Sequence, residues 1–300
     1  MIVDVHTHLP SHRDYVPDDE VRVETKMRSG EEVHLTNTVA DYIKAMEPID
    51  RTLVFGIAGR PWKKDEKGGG LEMSTGPGGW DDGMNHNDIA AMVSTYDPSK
   101  IIPGMSLHPL SSTVNDEYDR AVGDLGCRVI KLGPNYQDFD PTTKEAFTLF
   151  ARLETDGIPI IFHTGTSTMW DAPLMYAHPL TIDRIAMAFP NLKMVLAHLS
   201  HPWQVDSLAV VRKHKYVWAD VSAQFYRPWS FWQGMRLFHE WGVTQKIFFG
   251  SDWPVTLPQD NIDALRGLEK FAIEHHLPVI PPDEIEQIIH RDAIEMLEIS

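Results

Sequence analysis

Two histidines one residue apart, His6 and His8 in the stretch DVHTH, follow the apolar start MIV. Side chains at i and i+2 of a β-strand share a face, so imidazoles at this spacing converge on one point, which suits a metal ion. Three further ionisable groups stand in comparable places: His163 after IPIIF, His198 after KMVLA, and Asp252 in FFGSDWP. Each alone reads as a hydrogen-bonded structural residue. As a set of five, each closing an apolar run, they point to groups gathered at one end of a fold, where burial and mutual charge tune them.

Composition narrows the chemistry. Cys127 is the only cysteine, so an internal disulfide framework and a cysteine-rich zinc site are excluded, and in DLGCRVI it reads as a small core residue. Metal ligands must therefore come from His, Asp or Glu. With 43 acidic against 27 basic residues and a formal charge of −16, binding to nucleic acid or an anionic membrane is disfavoured, and an anionic substrate needs a local basic patch. Apolar runs such as IPIIF and KIFFG fall far short of the ~20 residues of a membrane helix, and the N-terminus carries no basic-then-apolar signal. The expectation is a cytoplasmic protein that acts on a small molecule; a homo-oligomer is compatible with the sequence.

The elements that must position these residues follow from the apolar pattern. Strands are expected at 2–5, 52–57, 101–107, 128–132, 158–162, 193–197, 216–221 and 246–249, separated by helical stretches such as NTVADYIKAMEP and TTKEAFTLFARLETDG. Eight β/α units in 300 residues, with no glycine-rich phosphate fingerprint after the first strand, indicate a (β/α)8 TIM barrel. It is read as a single domain over 1–300, with its active face at the C-terminal strand ends. Long loops follow strands one and two, at 9–36 and 58–84; each reads either as a solvated insertion or as a lid carrying Trp62 or Trp80. The terminal PDEIEQIIHRDAIEMLEI is amphipathic and is expected to close the barrel.

The motifs DVHTH, FHTG, LAHLSHPW and FGSDWP, in this order and each after a strand, resemble the amidohydrolase superfamily, in particular its amidohydrolase-related group. That group contains metal-dependent hydrolases and decarboxylases similar to aminocarboxymuconate-semialdehyde decarboxylase. The resemblance implies one divalent metal held by His6, His8, His163 and Asp252, with His198 beside it as the catalytic imidazole. The residue types agree with that chemistry. Three imidazoles and a carboxylate suit Zn²⁺ first and also Mn²⁺ or Fe²⁺, with a position left open for water. Asp252 can ligate and also accept a proton, and His198 can polarise a carbonyl or shuttle a proton.

In some members of the superfamily a lysine at the fourth strand end is carboxylated and bridges two metals. Here Lys131 in VIKLGP is read as an ion-pair partner or a group reaching the substrate. Tyr226 and Arg227 in QFYRPW are candidate substrate contacts, with Arg227 the carboxylate anchor and Arg60 a poorer one; His108 in SLHP is a pocket-lining or supporting residue, and His201 a structural one. The expected reaction is hydrolysis of an amide, lactone or ester. The alternative is non-oxidative decarboxylation of a small aromatic or unsaturated acid. The fifth strand ends in FHTGTS, whereas the group's decarboxylases more often carry His-Pro-Trp there, which favours the hydrolase.

Overall fold

Short apolar, β-branched runs become strands in the computed structural model, which describes residues 1–20, 23–26, 32–60, 80–81, 83–167 and 169–299. The described strands are β1 (Val3–His8), β2 (Val23–Lys26), β3 (Glu32–His34), β4 (Arg51–Phe55), β5 (Ile101–Met105), β6 (Val129–Leu132), β7 (Ile160–Phe162), β8 (Met194–Leu196), β9 (Val217–Asp220) and β10 (Ile247–Phe248). Eight of them form one parallel sheet in the order β1-β4-β5-β6-β7-β8-β9-β10. Val5 N–H donates to Phe249 O at 3.1 Å and Thr7 bridges Trp253, which brings the last strand back to the first and nearly closes a (β/α)8 barrel. No end of these eight strands departs from its expected position by more than three residues.

The period of two along each strand sorts its side chains between two cores. Leu53, Phe55, Val129, Ile161, Val195, Trp218 and Phe248 fill the barrel interior, while Val54, Ile130, Phe162, Leu196, Ala219 and Phe249 face the surrounding helices. The helices begin and end on local signals. Thr38 and Asp41 form a reciprocal cap on Val39–Ala45, and Asn85 and Asp88 do the same for His86–Ser94. Lys144–Asp156 starts behind Thr143 and stops at Gly157, whose φ of 72° suits a residue without Cβ.

Two expectations change. The connection after β1 is not loop throughout, since β2 and β3 pair antiparallel within it. The closing segment is two helices, Pro282–Ile289 and Ala293–Leu297: Asp292 accepts from Glu295 N–H and starts a new helix there. Ala293 and Leu297 pack on the interior cluster with Val3 and Val5, so this short helix floors the barrel. In the connection after β4, Trp80 is half-buried and donates its indole N–H to Pro10 O at 3.1 Å, tying the two long connections together. Trp62 lies outside the described residues. No helix among the described residues is long and apolar enough to cross a membrane.

Candidate metal centre and active site

Inward-facing positions continue to alternate up each strand until the apolar filling gives way to polar groups. Lys131 follows Val129, His163 follows Ile161 and Asp220 follows Trp218, each two residues beyond a side chain of the interior cluster. β1 reaches the same result by a different route. Asp4 pairs with Thr52 and Thr7 with Val54, three steps on β1 against two on β4, so β1 carries one extra residue. Such a bulge re-aims the side chains beyond it. Val3 and Val5 pack inside, and His6, within the bulge, and His8, beyond it, also face inward, both against the Phe55 ring. The two histidines thus lie within the first strand, not after it.

The residues that follow the strands are set by unusual backbone. His198, Leu199 and Ser200 take φ of 61°, 47° and 57° in succession, and Asp252 takes 68°. Such conformations cost about 1–3 kcal/mol each and persist only where the surroundings hold them. Here His198 N–H donates to Asp220 Oδ1 at 2.9 Å, Gln224 Nε2 donates to His198 O at 3.1 Å, and Ser200 Oγ lies 2.8 Å from Thr164 Oγ1. Asp4, its carboxyl raised to about 7 by burial, accepts from Ser251 N–H at 3.0 Å and so ties the Asp252 turn to β1. Gly250 packs closely against the site, since a Cβ there would lie 3.1 Å from His6 Cβ and press on that ring.

Asp252 Oδ1 lies 3.2 Å from His6 Nε2 and 3.1 Å from His8 Nε2, and the three donor atoms form one group within 4.8 Å. Donors of a tetrahedral zinc site with ~2.05 Å bonds are about 3.3 Å apart, so the spacing suits an ion. His6 Nδ1–H donates to Asp220 Oδ2 at 3.0 Å, which leaves its Nε2 lone pair facing the group. His163 is not part of that group. Its Nδ1 faces His198 Nε2 at 3.2 Å, and its Nε2 is buried with no hydrogen-bond partner among the described residues. A buried ring nitrogen with no hydrogen-bond partner among the described residues is a donor that an ion can use. The residues therefore fit a divalent ion, with His6, His8 and Asp252 as the assembled donors and His163 as the next available one. A second cluster, His6, His198 and Asp220, also has metal-like spacing. Ser222 Oγ contacts all three of its residues and serves it as a hydrogen-bonding hub.

Electrostatics agree with ligation. Burial lowers His6 and His163 well below the ordinary imidazole value, with Lys131 and His198 respectively the next contributors, and burial lowers His198 too. Neutral rings can ligate without first losing a proton. Burial opposes the charge on Asp252, yet His198, His6 and His8 together hold its carboxyl well below the usual range.

The remaining candidates separate. Lys131 is fully buried and donates from Nζ to His6 Nε2 at 2.7 Å, with burial lowering it to about 8. Among the described residues it makes no salt bridge with a carboxylate, so the ion-pair reading gives way to a cation inside the site. Arg227 lies 4.2 Å over the Tyr226 ring and likewise pairs with no carboxylate among the described residues. Arg60 is engaged by Asp171 at 2.8 Å, which removes it as a carboxylate anchor. His108 is turned to structure, since Nε2 meets Gln137 O at 2.8 Å and Nδ1 accepts from Leu110 N–H at 3.1 Å. His201 Nδ1 accepts from Gln224 Nε2 at 3.0 Å, a structural contact as expected. Sequence reasoning missed Asp220, Ser222, Gln224 and Tyr136, whose ring lies 4.4 Å from that of His163. The available signal was parity: Asp220 stands two residues beyond an inward-facing Trp218, as His163 does beyond Ile161.

The sequence profile of the family described as Amidohydrolase matches residues 81–299. No curated protein matches the chain. An uncharacterised TIM-barrel protein from Bordetella bronchiseptica superposes with a TM-score of 0.66 at 20% identity, covering 99% of this chain and 98% of its own. A probable 2-pyrone-4,6-dicarboxylic acid hydrolase from Acinetobacter baumannii gives 0.59 at 14% identity, with 99% of each chain covered. The 5-carboxyvanillate decarboxylase of Sphingomonas paucimobilis gives 0.62 at 13%, covering 100% of this chain and 99% of its own. Other solved neighbours of the same fold hold zinc or manganese.

Proposed function

The chain belongs to the amidohydrolase family, and from that premise we propose that it is a metal-dependent hydrolase that opens an amide, lactone or ester bond of a small molecule. The observation that carries this reading is the convergence of His6 Nε2, His8 Nε2 and Asp252 Oδ1 beside a neutral imidazole, His198, that lies outside their group. One divalent ion is proposed, Zn²⁺ first and Mn²⁺ or Fe²⁺ also suited to the donors, held by those three residues with His163. When bound it supplies Lewis-acid activation of water and of a substrate oxygen.

The chain's own residues do the rest. Asp252 accepts a proton at its carboxylate as water attacks. His198, with its pKa held below neutrality, takes or returns a proton at Nε2 and delivers it to the leaving group. Lys131, which contacts His6, and the stacked Arg227–Tyr226 pair are proposed as donors for an anionic substrate group. The alternative, non-oxidative decarboxylation of a small aromatic or unsaturated acid, draws on Arg227, whose guanidinium suits a carboxylate, and on the fold shared with a decarboxylase. A cytoplasmic setting and a small-molecule substrate, without nucleic acid or membrane partners, complete the proposal. Turnover against a panel of carboxylate-bearing lactones, esters, amides and aromatic acids, with CO₂ followed in parallel, is the test. Hydrolytic product without CO₂ is expected; stoichiometric CO₂ overturns the hydrolase in favour of the alternative.

A further inference from the structure

Asp220 Oδ1 accepts the backbone N–H of His198 at 2.9 Å and that of Ser222 at 3.0 Å, and neither group can do anything but donate. The Ser222 hydroxyl is in close contact with the same oxygen, so its single proton must also point there. That leaves only lone pairs on Ser222 Oγ toward the two rings it touches, His198 Nδ1 at 2.8 Å and His6 Nδ1 at 3.1 Å. Both rings must then carry their proton on Nδ1. A neutral His198 protonated at Nδ1 presents a lone pair at Nε2, and the atom 3.2 Å from it, His163 Nδ1, has to donate. His163 is thereby left with an unprotonated Nε2, the buried nitrogen that has no partner among the described residues.

We infer that Ser222 is a positioning residue that passes the polarity of Asp220 to His198 and His163, fixing both as Nδ1–H tautomers so that His198 Nε2 accepts from His163 and His163 keeps its Nε2 lone pair for an ion. Asp220 sets His6 directly and the other two rings through one hydroxyl. The part concerning His163 rests on reading the site as a metal site; the part concerning His198 does not.

Ring ¹⁵N spectra of the full chain, labelled at histidine and recorded with Zn²⁺ and after chelation, test it, with peaks assigned by single His→Gln variants. The wild-type protein should show His198 protonated at Nδ1 in both states, whether or not any substrate is turned over. Ser222→Ala removes the nearer acceptor of His198 Nδ1–H and leaves only the main-chain O of residue 222 at 3.3 Å, so it should move His198 toward the Nε2–H tautomer and weaken Zn²⁺ binding by about 10- to 100-fold, the range for losing a group that orients a ligand. Ser222→Thr, which keeps the hydroxyl, should restore both. A wild-type His198 protonated at Nε2 overturns the relay, and needs no variant to do so. An unchanged spectrum in Ser222→Ala overturns it as well, and an altered spectrum with unchanged Zn²⁺ affinity overturns its extension to His163.

Discussion

Asp220→Asn should leave the fold intact and damage the metal site. Asp220 is fully buried; Oδ1 receives two backbone N–H groups and the Ser222 hydroxyl, and Oδ2 receives His6 Nδ1–H at 3.0 Å. Asparagine has one oxygen, which the three donors on the Oδ1 side retain, so its NH₂ turns toward His6. In the metal-free protein His6 can answer by moving its proton to Nε2 and accepting from the new amide, once Lys131, which donates to Nε2 at 2.7 Å, sheds a proton or turns away. With an ion bound that escape is closed, because Nε2 must supply its lone pair, and two donors then face each other at Nδ1. The loss is one hydrogen bond to a charged group, about 1.5–3 kcal/mol, or roughly 10- to 150-fold in affinity at 1.4 kcal/mol per decade. Calorimetric titration with Zn²⁺ gives the affinity, and urea unfolding of the metal-free protein gives the fold's share. Wild-type Zn²⁺ affinity in the variant would refute the reasoning, and so would an equal loss of stability in the metal-free protein.

Other outcomes follow from the same geometry. His198→Ala should keep its metal while the turnover number falls by ~10²- to 10⁴-fold, whereas His163→Ala should lose metal and activity together, with both measured on the same preparations. Gly165→Ala places a Cβ 2.7 Å from His201 O at a φ of 117°, so urea unfolding should show a loss of about 1–3 kcal/mol. Burial, with His198 next, lowers His201 to about 3, so it contributes stability that is complete above the unfolded value near 6.5 and is lost as pH falls toward 3. His201→Gln should flatten the acid limb of stability against pH by up to ~1.4 kcal/mol per unit across that window.

The barrel was legible because each strand carries its own signal: a short β-branched run ended by a polar residue or a glycine. His6, His8, His163, His198 and Asp252 were legible for the same reason, as each interrupts an apolar run at the same end of the fold. Three kinds of feature were not. The extra residue in β1 is a property of pairing with β4, and no residue type in VDVHTH announces it. Asp220 closes its strand as plainly as His163 does, but a lone carboxylate at a strand end attracts no attention until its inward-facing neighbour Trp218 is known. Ser222 and Gln224 matter only because left-handed backbone at His198–Ser200 brings a hydroxyl and an amide under the rings, and periodicity carries no trace of that. The break at Asp292 was visible as a capping residue but is masked by continuous amphipathic spacing.

The single-metal centre is tested most directly by how many divalent ions each chain holds. Elemental analysis of protein freed of loosely bound metal, set beside Asp252→Asn prepared in the same way, should give about one ion per wild-type chain and a marked loss in the variant, since Asp252 Oδ1 is the oxygen shared by His6 and His8. Two ions per wild-type chain would contradict the single-metal centre and make Lys131 a ligand. An active enzyme that holds none would contradict the metal reading altogether.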